Sequence, residues 1–230
     1  MNSSGCPDLA ATLYRLGAAW TGLAEDLDRA CRRRGRAPTL KDLFFSIRDM
    51  PYERPKHGHT PDAVIAEWRG TCSGKHIVLW QALSALHIPT RLFMASHRFE
   101  PDDDAVPAVL RPLIPAGGVW DVHNFLTADI EGHRTIIDVT WPLALAKHGF
   151  PVTADWETGR DFVLAVRPAE VREVRADDQG TAAKKAWLEE LNRSASASRE
   201  AIIEALAAFV RAVSPSRPRA EAIDEAIGPT

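Results

Sequence analysis

Apolar residues Leu9, Leu13, Leu16, Trp20, Leu23 and Leu27 recur at three- and four-residue steps. That spacing predicts one amphipathic helix from Asp8 to about Arg34, closed by Gly35 and the basic cluster Arg32-Arg33-Arg34, which reads as a solvated helix end. A second helix is expected from Leu40 to about Asp49, with Leu43, Phe44 and Ile47 facing inward, broken by Met50-Pro51-Tyr52. After the polar stretch Glu53 to Thr60, the run Pro61 to Trp68 reads as a short helix with Thr60 as its cap and Pro61 at its first position. The run Ile77 to Leu86 has apolar residues on nearly every face, the pattern of a buried helix, and Pro89 stops it. Thr90 to Ala95 is strand-like, and Glu100 to Gly118 is an acidic, proline-rich surface loop. Val119 to Ile130 and His133 to Thr140 read as two strands of a hairpin turning at Glu131-Gly132, with a further strand at Phe162 to Val166. Thr181 to Val213 is helical in composition with a polar break at Asn192 to Ser198, and the tail from Ser214 reads as poorly ordered. Helices first, then an antiparallel sheet, make this an α+β pattern rather than a doubly wound one.

Composition narrows the class. The chain has 230 residues, 45% hydrophobic and 26% charged, enough for one core with appendages or at most two small domains. A formal charge of -3 gives no electrostatic case for nucleic acid. Three cysteines, Cys6, Cys31 and Cys72, are scattered without metal-ligand spacing and argue against a disulfide framework. The first residues lack the basic start and apolar core of a signal peptide, and no apolar run approaches the roughly 18 residues that span a bilayer. A reducing, cytoplasmic setting with no membrane partner is the expectation.

The stretch Trp68-Arg69-Gly70-Thr71-Cys72-Ser73-Gly74-Lys75-His76 carries the candidate chemistry. Cys72 stands where the buried helix begins, beside unpaired backbone N–H groups and the positive end of the helix dipole, and Thr71 and Ser73 are good N-cap residues. Such a position favours thiolate over thiol. The alternative is a small buried cysteine packing at a helix end. A nucleophile needs a base and a group that orients the base. With the hairpin turning at Glu131-Gly132, position i faces 263 minus i, so His123 falls opposite about residue 140, and Asp138 shares its side of the sheet. Singly, each of these is as consistent with a satisfied strand histidine and a turn aspartate.

Three other motifs are set aside. Gly70 to His76 lacks the spacing and the hydroxyl of a phosphate-binding loop. His57-x-His59 has no third ligand at suitable spacing. Asp102-Asp103-Asp104 reads as a solvated loop or as a rim for a basic or amine substrate.

Gly70-Thr71-Cys72 opening a buried helix, then Leu86-His87-Ile88-Pro89-Thr90-Arg91, resembles the cysteine-helix block of the transglutaminase-like superfamily. His123-Asn124-Phe125 resembles its His-x-aromatic block, and Asp138-Val139-Thr140-Trp141-Pro142 its Asp-x-Thr-aromatic block, with all three in the family's order. His87 stands where the family has glycine, and Phe125 where tryptophan is commoner. The resemblance implies a papain-like fold in which Cys72, His123 and Asp138 are nucleophile, base and orienting carboxylate. It implies no metal and no organic cofactor. The chemistry it implies is attack on an acyl carbon, a thioester, and transfer to an amine or to water. The Cys72 N–H is the expected first oxyanion donor, and Trp68, Ser73 and His76 are candidate oxyanion or substrate contacts, with His76 also a candidate for packing behind the thiolate.

The expected organisation is an N-terminal helix (1–37), a papain-like, transglutaminase-like core (38–178), a C-terminal helical segment (179–213) and a flexible tail (214–230). The expected function is a cysteine-dependent acyltransferase, amidohydrolase or peptidase acting on a peptide, amide or thioester donor. The competing readings are a non-catalytic binding module on the same fold and a helical bundle in which Cys72 is only core.

Overall fold

The computed structural model describes residues 8–228 except 104–105, 107, 109, 175–180 and 192–195, and omits the side chains of 181 and 196–197. Cys6, Asp104 and the centre of the polar break at 192–195 therefore lie outside the described residues.

The mixed α+β chain builds one four-stranded antiparallel sheet, in the order β3-β2-β1-β4, from β1 (Thr90–Phe99), β2 (Val119–Ile130), β3 (His133–Ile137) and β4 (Glu170–Glu173). Before the sheet come α1 (Leu9–Tyr14), α2 (Ala18–Arg32), α3 (Leu40–Asp49), α4 (Pro61–Glu67) and α5 (Cys72–Ala85). After it come α6 (Thr181–Leu191), α7 (Ser196–Val213) and α8 (Arg219–Ile227). The expected second helix matches α3 at both ends, where Thr39 and Asp42 close a capping box and Leu43, Phe44 and Ile47 are fully buried.

The hairpin has the expected register. Leu126 faces Ile137 and Ile130 faces His133, and Glu131 and Gly132 make the turn with φ of 51° and 82°. Two successive positive φ values match the right-handed twist of the flanking strands, and glycine adopts the second without strain.

Several expectations are corrected. The N-terminal amphipathic stretch is two helices, because Gly17 at φ 128° turns the chain between Tyr14 and Ala18. β3 ends at Ile137, three residues short of Thr140. Phe162 to Val166 forms no strand; its backbone meets β3 only where the Phe162 N–H donates to the Ile136 carbonyl. The loop after β1 is not merely surface, since Val106, Leu110 and Ile114 are buried in a second apolar cluster with Tyr52, Cys72 and Trp141.

The tail from Ser214 is corrected as well, because it carries α8. Ile223 is fully buried, Arg219 donates to Asp26 at 2.6 Å, and Arg34 donates to the Asp224 side chain at 2.7 Å and the Gly228 carbonyl at 2.7 Å. Arg33 and Arg34 therefore hold α8, while Arg32, the last residue of α2, pairs with Asp28 at the exposed surface as a solvated helix end does. One apolar cluster runs from Leu9 and Trp20 through α3, α5 and the sheet to Ile223. Among the described residues no helix is long and apolar enough to cross a membrane.

Candidate active site

Short α4 feeds the chain to Cys72. Thr60 caps it through its side chain to the Ala63 N–H, and Trp68 ends it in the left-handed region at φ 49°. A side chain at Gly70 or Gly74 would press on Val64 at 3.2 and 3.1 Å, so these two glycines let α4 lie against the start of α5. Thr71 is the N-cap by backbone but makes no side-chain cap bond, so the first-turn N–H groups beside Cys72 lack that partner. The central helix itself is buried as its composition implied, with Val78, Leu79, Ala82 and Leu83 fully inaccessible.

His123 lies on β2, beside α5. Its Nε2 donates to Asp138 Oδ2 at 2.7 Å, which leaves Nδ1 free of the carboxylate, and His123 and Cys72 line the same cavity. Asp138 stands just past the end of β3. It also accepts from the Ala165 N–H at 2.7 Å and the Thr140 N–H at 3.1 Å. Three donors on a buried carboxylate hold it well below the usual carboxylate range, against the opposing effect of burial. Although burial disfavours a charged ring, Asp138 and the thiolate push His123 up to about 10. Burial likewise opposes a Cys72 thiolate, but the Lys184 ammonium and His123 outweigh it and bring the thiol down to about 5. Both shifts favour a thiolate beside an imidazolium.

Lys184 on α6 was not foreseen. Its Nζ donates to Cys72 Sγ at 3.3 Å, Ser73 Oγ at 3.0 Å and Asn124 Oδ1 at 3.1 Å, so all three ammonium protons have acceptors. In the sequence it is one of two adjacent lysines in a helix of mixed composition, with nothing to mark it.

The three secondary candidates fall in different places. Ser73 donates to Asn124 at 2.8 Å and helps hold Lys184. His76 is fully buried behind the sulfur: Nδ1 donates to the Cys72 carbonyl at 2.7 Å and Nε2 accepts from the Val139 N–H at 3.2 Å. Those two bonds fix a neutral ring, and burial pushes its pKa down to about 4. Trp68 packs in the main apolar cluster, and its indole N–H has no hydrogen-bond partner among the described residues.

A second buried charge group stands on the same face of β2. Asp121 takes two bonds from Arg199 of α7, at 2.9 and 2.7 Å, and His97 of β1 faces it at 3.8 Å. Arg199, too, carried no sequence signal. Of the motifs set aside, His57 hydrogen-bonds Glu67 at 3.2 Å, and among the described residues no group of three or more His, Cys, Asp or Glu is placed to hold a metal ion. Cys72 and His123 open on a cavity of about 360 Å³ that Tyr52, Trp141, Phe150, Leu110 and Leu206 help to line.

No protein-family model matches the chain, and no curated protein matches it. Among solved structures the chain is similar to a protein of Cytophaga hutchinsonii to which cysteine-protease activity is provisionally assigned. The identity is 16% and the TM-score 0.31, over 74% of this chain and 54% of that one, so this chain spans about half the length of that structure. With so low an overlap, the functional reading rests on the geometry of the site itself.

Proposed function

We propose that the chain is a cysteine enzyme with a papain-like, transglutaminase-like core that transfers an acyl group through a thioester on Cys72. The observation that carries the reading is the 2.7 Å hydrogen bond from His123 to Asp138, with His123 and Cys72 lining one cavity and Cys72 at the start of a buried helix. In this reading the thiolate attacks the acyl carbon of a peptide, amide or thioester donor. The oxyanion that forms takes the Cys72 backbone N–H. The His123 imidazolium gives its proton to the leaving group as the carbonyl re-forms and the bond to that group breaks. Neutral His123 then takes a proton from the incoming amine or water, the C–S bond breaks, and the thiolate returns. Asp138 keeps the imidazole proton on Nε2 and stabilises the imidazolium, as an orienting carboxylate must.

The test is alkylation. Iodoacetamide at pH 6 should modify Cys72 rapidly, as read by intact mass and peptide mapping, and Cys72→Ala should lose all covalent labelling and all turnover while unfolding at nearly the wild-type temperature. Slow labelling at pH 6 would mean a buried thiol and would leave the fold as a binding module.

A further inference from the structure

The cavity beside Cys72 differs in character from the polar groups that border the sulfur. Its body is a wall of rings, with Tyr52 and Trp141 4.7 Å apart between centroids and Trp141 and Phe150 4.9 Å apart. Facing residues include Val106, Leu110, Ile203 and Leu206. The ionisable groups in that body do not offer a free charge to a ligand. Asp121 is already held by Arg199 through two hydrogen bonds, and burial next to Cys72 and Asp121 pushes the Tyr52 phenol well above its ordinary value, so it stays neutral. Of the remaining ionisable lining residues, His97 faces Asp121 at 3.8 Å, and Arg98, Asp103 and Arg167 also line the adjoining shallow cavity with Glu100 and Asp102 and so mark the outer end. At about 30 Å³ for a water-sized group, 360 Å³ takes about a dozen heavy atoms.

We infer that this cavity is an acyl-group pocket, and that the donor carries an uncharged apolar acyl group of about eight to twelve heavy atoms, aromatic or aliphatic. The inference rests on the proposed thioester chemistry, because the pocket is assigned to the part of the donor that remains on Cys72. A carboxylate or ammonium in the same place would leave water for a body of rings and aliphatic chains, away from the charged groups at either end. An acetyl group would leave most of the cavity unfilled. Each methylene that moves from water into such a pocket favours acylation by about fourfold, before any loss to imperfect fit.

The experiment uses 4-nitrophenyl esters of acetate, octanoate, 3-phenylpropanoate and glutarate with the 230-residue chain. Nitrophenolate release gives the rate, intact mass gives the adduct on Cys72, and a small free thiol gives the intrinsic reactivity of each ester. Octanoyl and 3-phenylpropanoyl should acylate Cys72 at least tenfold faster than acetyl after that correction, and glutaryl should stay at least tenfold below octanoyl. Leu206→Trp and Ile203→Phe each narrow the cavity from the α7 side, and either should bring the octanoyl-to-acetyl ratio to within about threefold. Rapid iodoacetamide labelling of Cys72 with acetyl or glutaryl matching the larger apolar esters would overturn the pocket while leaving the cysteine chemistry standing. Both cavity variants keeping the wild-type ratio would also overturn it. Slow alkylation together with no acylation by any ester would overturn the pocket and the proposed function alike.

Discussion

Lys184 and His123 place the Cys72 sulfur between two cations, and the two act differently. Lys184 brings a fixed positive charge and a hydrogen bond to the sulfur at 3.3 Å. His123 also depends on Asp138 for its own charge. An opposite charge at such range lowers an acid's pKa by about 1–3 units. Lys184→Met keeps the length of the stem and removes the charge, so the midpoint of Cys72 alkylation should rise by about one unit or more. Asp138→Ala should raise it too, and in addition should reduce turnover by about two to four powers of ten, because the base loses its tautomer as well as its charge. An alkylation profile for Lys184→Met that superimposes on wild type would show that the ammonium does not reach the thiolate in solution. The site residues that the sequence marked are those on or next to regular elements with a periodic pattern: Cys72 at a helix start, His123 on β2 and Asp138 just past the end of β3. Lys184 and Arg199 were not legible because a single cation on an amphipathic helix looks the same whether it faces water or a buried carboxylate.

The same contrast holds for the elements. β2 and the hairpin register could be read because alternation and a Glu-Gly turn leave one pairing that buries Leu126 and Ile137 together. The course of Phe162 to Val166 could not be read as it is. Its composition suits a strand, yet its Ala165 N–H goes to the Asp138 carboxylate instead of to a ladder partner. α8 was missed because nine residues with one fully buried isoleucine, and Ala222 and Ile227 only partly buried, carry too little periodicity to outweigh the prolines before them. Its docking depends on partners far away in sequence, Asp26 on α2 and Arg34 beyond it. If α8 is part of the core, Ile223→Ala should cost about 2–4 kcal/mol, the range for truncating a fully buried isoleucine. Urea unfolding of the two proteins measures it. A difference below about 0.5 kcal/mol, the level typical of surface substitutions, would mean that α8 contributes nothing to the fold in solution.

For the whole molecule, the thiolate–imidazolium pair ties stability to pH in a form that one substitution can isolate. In the folded state the pair carries one proton from about pH 5, where Cys72 titrates, to about pH 10, where His123 does. Unfolded, the two groups return to their ordinary values of 9.0 and 6.5, so they carry two protons below 6.5, one between 6.5 and 9.0, and none above. Stability rises with pH wherever the unfolded chain holds more protons, and falls where it holds fewer. The pair's contribution therefore grows from about pH 5 to 6.5, stays level to about 9, and is lost toward 10. Cys72→Ser removes only the thiolate. His123, still raised by Asp138, then contributes fully below 6.5 and progressively less as pH rises through its folded value. Subtracting the variant's stability from the wild type's cancels every other titrating group that the substitution does not touch. The difference should climb from about pH 5, as it must for an acid whose pKa is depressed on folding, and should level off by about pH 9. Unfolding free energies of the two proteins across that range decide the matter. A difference that does not change with pH would mean that Cys72 remains a thiol throughout, and that the two cations beside it serve some purpose other than ionising the sulfur.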